Sequence, residues 1–85
     1  GTSMVNAGIL DGDTVLIRRQ QTAYNGQIIA AMIDNNEVTL KRFYNENGIV
    51  RLKPENDHMD DIIIDDSHEF AVLGIAVGLM RNVIN

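Results

Sequence analysis

Two side chains in this sequence have the chemistry of a hydrolytic pair. Ser3, in the opening Gly1-Thr2-Ser3-Met4, carries a hydroxyl, and Lys41, in Glu37-Val38-Thr39-Leu40-Lys41-Arg42-Phe43, carries an amine. A serine hydroxyl attacks a carbonyl well only when a base takes its proton, and a lysine is that base only when it is neutral. Free lysine has a pKa of about 10.4, so about one molecule in 2,500 is neutral at pH 7. Closing that gap of about 3.4 units takes roughly 4.6 kcal/mol, which desolvation inside a fold can supply. The chemistry therefore requires Lys41 to be buried, without a carboxylate partner, and within reach of Ser3.

The elements that must position this pair read as strands. Thr14-Val15-Leu16-Ile17 is β-branched and apolar, continuing to Arg18 or Arg19 after the turn signal Asp11-Gly12-Asp13. Gln20 to Tyr24 is a polar connection, and Asn25-Gly26 is a second turn pair. Gln27 to Ile33 is short and apolar, compatible with a buried strand or a helix piece, and Ile28-Ile29 favours the strand. A tight turn at Asp34-Asn35-Asn36 makes a hairpin between that run and the Lys41 strand, Glu37 to Asn45. Asn47-Gly48 marks a further hairpin into Ile49-Val50-Arg51-Leu52-Lys53, which Pro54 ends because it has no N–H for the ladder. Ile62-Ile63-Ile64 is a brief strand, and Phe70 to Asn82 is the last long element. Short strands at regular turn spacing predict an all-β domain, a small sandwich or barrel. Thr39, Lys41 and Phe43 share one strand face, opposite Val38 and Leu40. That face is mixed, so a solvated Lys41 is the ordinary reading of the pattern alone.

Length and composition bound the rest. Eighty-five residues make one domain, 1–85, with a single thin core. The net charge of −5, from twelve acidic against seven basic side chains, argues against direct nucleic-acid binding, because phosphate contacts need clustered cations. The absence of cysteine excludes disulfides, thiolate zinc sites and a cysteine nucleophile, and is compatible with a reducing cytoplasm. No run reaches the roughly 18 apolar residues of a membrane span, and no signal peptide opens the chain. The abrupt start at Gly1 suggests a fragment.

Six blocks follow one another in register. They are Gly1-Thr2-Ser3-Met4, Gly8-Ile9-Leu10-Asp11-Gly12-Asp13, Asn25-Gly26-Gln27, Glu37-Val38-Thr39-Leu40-Lys41-Arg42, Leu52-Lys53-Pro54-Glu55-Asn56, and Leu73-Gly74-Ile75-Ala76-Val77-Gly78-Leu79-Met80-Arg81-Asn82. Together they resemble the C-terminal self-cleaving serine peptidase domain of the LexA, UmuD and phage repressor family, over nearly the whole chain. The resemblance implies a mainly β, signal-peptidase-like β-clip fold, here N-terminally truncated. It implies Ser3 as nucleophile, Lys41 as general base, and backbone N–H groups of Thr2 and Ser3 as the oxyanion site, with no cofactor and no metal. It further implies cleavage of an Ala-Gly bond upstream in the same polypeptide, stimulation by a RecA–single-stranded-DNA filament in the SOS response, a homodimer, and a cytoplasmic repressor that reaches DNA only through a separate N-terminal domain. On this reading the cleavage segment and the DNA-binding domain lie outside the chain, and their absence leaves an apolar groove open near Ser3. The other reading of the resemblance is a non-catalytic dimerisation module of a phage-type repressor. Signal peptidases share the Ser-Met and Lys-Arg pairs, but no membrane anchor accompanies them here.

The remaining candidates read more simply. Ala7-Gly8 spells the cleaved dipeptide but lies four positions after Ser3, so it is loop. His58 and His68 have no metal-ligand spacing and read as solvated. Asp57, Asp60, Asp61, Asp65 and Asp66 lack the alternation of a calcium loop and read as a solvated face. Gly74 and Gly78 mark close backbone approach in a strand at a dimer edge. Arg42, beside Leu40 and Tyr44, suggests a twist or a sheet edge. The four methionines are gap fillers.

Overall fold

The computed structural model describes residues 2–34 and 37–82. Its strands are β1 (Thr14–Arg19), β2 (Ile28–Ile33), β3 (Glu37–Glu46), β4 (Ile49–Lys53), β5 (Ile62–Ile64) and β6 (Phe70–Met80), preceded by one 3-10 turn at Val5–Ala7. The all-β expectation holds, and the strands form one antiparallel sheet in the order β1-β6-β2-β3-β4-β5. The last strand is thus inserted between the first two, a long-range pairing that no local pattern encodes. β3 is flanked by β2 and β4, so the edge suggested by Arg42 is not there.

Local chemistry explains the hairpins. β3 and β4 are joined by Asn47 and Gly48 alone, with Glu46 opposite Ile49. Both loop residues have positive φ, 56° and 80°, the mirror-image turn whose twist suits a hairpin and which Asn-Gly tolerates best. Pro54 follows directly on the end of β4, as expected of a residue that cannot donate to the ladder. The β2–β3 hairpin pairs Ile33 with Glu37; of the turn expected between them, Asn35 and Asn36 lie outside the described residues.

Register decides which face is buried. Ile29 pairs with Lys41 on one side and Ile75 on the other, and Phe43 pairs with Leu52, which pairs with Ile62. Directly paired residues share a face, so the core cluster of Ile29, Ala31, Phe43, Leu52 and Ile75 lies on the same face as Thr39 and Lys41. Ile29 and Leu52 are fully enclosed, each contributing roughly 1.5–3 kcal/mol by leaving water. The mixed Thr39-Lys41-Phe43 stripe is therefore the inner face, and the solvated reading of Lys41 is corrected: its exposure is 8%. The apolar Val38, on the opposite face, is 58% exposed.

Gly74 shows why a small residue sits in β6. A Cβ there would lie 2.4 Å from the Arg18 carbonyl oxygen and 2.4 Å from Ile17 Cγ2 on β1. The close backbone approach read from the sequence holds at Gly74, whereas at Gly78 a Cβ would meet only the Leu16 side chain.

Candidate active site

Ser3 is carried on a turn, not a strand. The Met4 carbonyl accepts the N–H groups of Ala7 and Ile9, and Gly8, in a left-handed conformation, closes the 3-10 turn on the Val5 carbonyl. Ala7-Gly8 is thus part of this turn, as the loop reading has it. Met4, 3% exposed, anchors the segment. A second segment, just after β4, braces it from outside: the Glu55 carbonyl accepts Asn6 N–H at 2.7 Å, Asn56 Nδ2 donates to the Thr2 carbonyl at 2.8 Å, and Asp57 accepts from the Asn6 side chain at 3.0 Å. Glu55 is itself fixed by Arg42, whose Nε lies 2.7 Å from its carboxylate while Nη1 donates to the Gly26 carbonyl.

Lys41 reaches this turn from the middle of β3. Its Nζ lies 3.3 Å from Ser3 Oγ, 2.5 Å from Thr39 Oγ1 and 3.2 Å from the Leu40 carbonyl oxygen. All three acceptors are uncharged. Burial of the amine pushes its pKa below the ordinary lysine value, and the more distant Glu37 carboxylate opposes that shift. The structure thus brings together Ser3 and Lys41, which the sequence pairs only by residue type. Thr39 is the partner that sequence reasoning missed. Its signal was the i, i+2 spacing to Lys41 on one strand face.

The pair opens onto a cleft of about 520 Å³, whose walls include Thr2, Ile9, Leu10, Val38, Leu40 and Met59. The far wall is held by Asp13, whose carboxylate takes Arg81 Nε at 2.8 Å, Arg81 Nη2 at 2.6 Å and the Leu10 N–H at 2.7 Å. Arg81 also donates to the Gly8 carbonyl. These bonds hold the Asp13 carboxyl at about 2, with Arg81 the main cause.

The other sequence candidates stay apart from the cleft. His68 is half-buried and its Nδ1 lies 3.1 Å from Asp34, so it is partnered, not simply solvated; His58 is exposed. Asp61 pairs with Arg51, and Asp65 accepts from Ser67. Among the described residues no three His, Asp or Glu side chains gather as a metal site, and no helix is long and apolar enough to cross a membrane.

Comparison with known proteins places the chain in a family. Residues 1–77 match the family model described as Peptidase S24-like. The chain is 54% identical over 84 residues to the LexA repressor of Ligilactobacillus salivarius, covering 99% of this chain and 39% of that protein. It is 55% identical over 84 residues to the LexA repressor of Limosilactobacillus fermentum, with the same coverage, and 53% identical over 85 residues to that of Lactobacillus johnsonii, covering 100% of this chain and 40% of the relative. The chain therefore spans about two-fifths of the length of the curated relatives it matches. Fold, cleft and likeness converge: this chain belongs to the S24-like peptidase family, with LexA repressors among its relatives.

Proposed function

We propose that this chain is the peptidase and pairing domain of a LexA-type repressor, which cuts its own polypeptide with a Ser3–Lys41 dyad. The observation that carries the reading is the 3.3 Å approach of Lys41 Nζ to Ser3 Oγ, with the amine buried and its pKa lowered. Neutral Lys41 takes the Ser3 proton as Oγ attacks the alanine carbonyl of an Ala-Gly bond. The N–H groups of Thr2 and Ser3 hold the oxyanion. The Lys41 ammonium then returns its proton to the leaving glycine amine, and water hydrolyses the Ser3 ester with Lys41 again as base.

In this reading the scissile bond lies upstream of Ser3, and the cleft is where that segment docks. A RecA–single-stranded-DNA filament stimulates the cut, which inactivates a cytoplasmic repressor and releases the SOS genes it silences. Pairing of two copies lets separate DNA-binding domains grip a two-fold operator. The exposed Leu16, Val77, Leu79 and Met80, on β1 and β6, favour that outer part of the sheet as the pairing surface. They equally suit a dimerisation module without catalysis, which the kinetic test below separates from the enzyme.

The test supplies a peptide containing the Ala-Gly segment and follows hydrolysis against pH. Below the Lys41 midpoint the rate climbs about tenfold per pH unit, because the neutral fraction does. Ser3→Ala and Lys41→Ala abolish it. A flat profile, or undiminished cleavage by Lys41→Ala, removes Lys41 as the base; no cleavage at any pH leaves the pairing module, for which sedimentation is expected to show a dimer.

A further inference from the structure

We infer that Asn56 is a positioning residue for catalysis, fixing the direction of the peptide group that offers the Ser3 N–H to the oxyanion; this rests on the dyad reading above. The peptide between Thr2 and Ser3 is planar and trans, so its carbonyl and its N–H point in opposite directions. Whatever fixes the Thr2 oxygen therefore aims the Ser3 N–H. Asn56 Nδ2 donates to that oxygen at 2.8 Å, whereas the other donor, Val5 N–H, lies at 3.4 Å.

The Asn56 amide is itself held one way round. Its Oδ1 accepts His58 N–H at 2.9 Å, so flipping the side chain would set an oxygen against the Thr2 carbonyl and an NH2 against His58 N–H. The backbone on either side is fixed as well. Pro54 is buried, and Glu55 is clamped by Arg42 and accepts Asn6 N–H. Asn56 thus stands on a rigid mount and touches neither Ser3 Oγ nor Lys41. Its effect falls on transition-state charge, which develops on the substrate oxygen only during attack.

The experiment compares the wild-type chain with Asn56→Asp and Asn56→Ala on the Ala-Gly peptide. Asn56→Asp keeps the size and the acceptor for His58 but replaces the donor with a charged oxygen, and the neutral Asn56→Ala separates loss of the donor from the added charge. Rates are taken on the high-pH plateau, where Lys41 is neutral in every variant, so a shifted lysine titration cannot mimic the effect. Both variants are expected to lose about 10- to 100-fold in kcat, a fraction of what deleting an oxyanion donor outright costs. KM is expected to stay within about twofold, because ground-state binding does not use the oxyanion site. Asp61→Ala removes a surface partner of Arg51 away from the cleft and is expected to keep its kcat. Melting curves verify that each variant is folded. Asn56→Gln, which keeps the donor on a longer arm, carries the test if the other two unfold, with a kcat between those of wild type and Lys41→Ala. Asn56 variants with wild-type kcat, a loss confined to KM, or an equal loss in Asp61→Ala would overturn the inference while Lys41→Ala still abolishes turnover. An inactive wild type, or an active Lys41→Ala, removes the dyad reading and this inference with it.

Discussion

Replacing Lys41 with methionine separates what the buried amine does for catalysis from what it costs the fold. Methionine keeps a side chain of similar length on the inner face beside Ile29 and removes the charge. Three hydrogen bonds are lost, to Ser3, Thr39 and Leu40, each worth about 1 kcal/mol net. Set against that is the desolvation that lowers the lysine pKa. Each unit of depression corresponds to about 1.4 kcal/mol of stability missing at pH values below the folded-state pKa. Because the folded pKa is the lower one, the unfolded chain binds more protons between it and about 10.4, and stability rises with pH across that window. The variant has no such group. Wild-type stability minus Lys41→Met stability must therefore increase from neutral pH towards about pH 10, by about 1.4 kcal/mol per unit of depression. At a urea slope of about 1 kcal/mol per molar, that is more than 1 M in midpoint for each unit, readily measured by circular dichroism. Parallel midpoint-against-pH curves would show that the amine is not desolvated. A difference that shrinks with rising pH would mean that Lys41 is held as an ammonium by an acid, and the dyad would lose its base.

Two other perturbations test how the cleft and sheet are held. Asp13, lowered to about 2 by Arg81 and the Leu10 N–H, contributes stability fully above about 3.8 and loses it as pH falls towards 2. Acid unfolding of Arg81→Leu is expected to begin at higher pH than in wild type, read by fluorescence or circular dichroism; coincident acid limbs would show that the pair contributes nothing. Gly74→Ala places a methyl 2.4 Å from the Arg18 carbonyl oxygen, which cannot move without disturbing β1. It is expected to cost about 1–3 kcal/mol or more. Gly78→Ala meets only the flexible Leu16 side chain at 3.0 Å and is expected to cost less, with urea midpoints ranking the two.

The strands were legible because their signals are local. The β-branched run from Thr14, the Asn47-Gly48 turn and the stop at Pro54 each specify backbone geometry within a few residues. The face of β3 was not legible, and the reason lies in the site. Val38 and Leu40 look like core residues, yet they line an open cleft; Lys41 looks like a surface residue, yet it faces Ile29. A buried lysine and an apolar cleft wall invert the usual pattern on neighbouring positions, so alternation points the wrong way at the candidate site. The bracing of Thr2 by Asn56 and the insertion of β6 between β1 and β2 were hidden for a different reason. Both join residues at least 37 positions apart, through contacts that no window along the chain contains.

The place of β6 has a consequence for the newborn chain. Ile29, the residue paired with Lys41, gains its second neighbour, Ile75, only when β6 slides in beside β2. At about 5–20 residues per second a ribosome needs a few seconds to pass from Lys41 to the end of that strand. Until then β2 is an unfinished border. Translation thus completes the sheet around the partner of Lys41 late, well after the turn that carries Ser3 has been made.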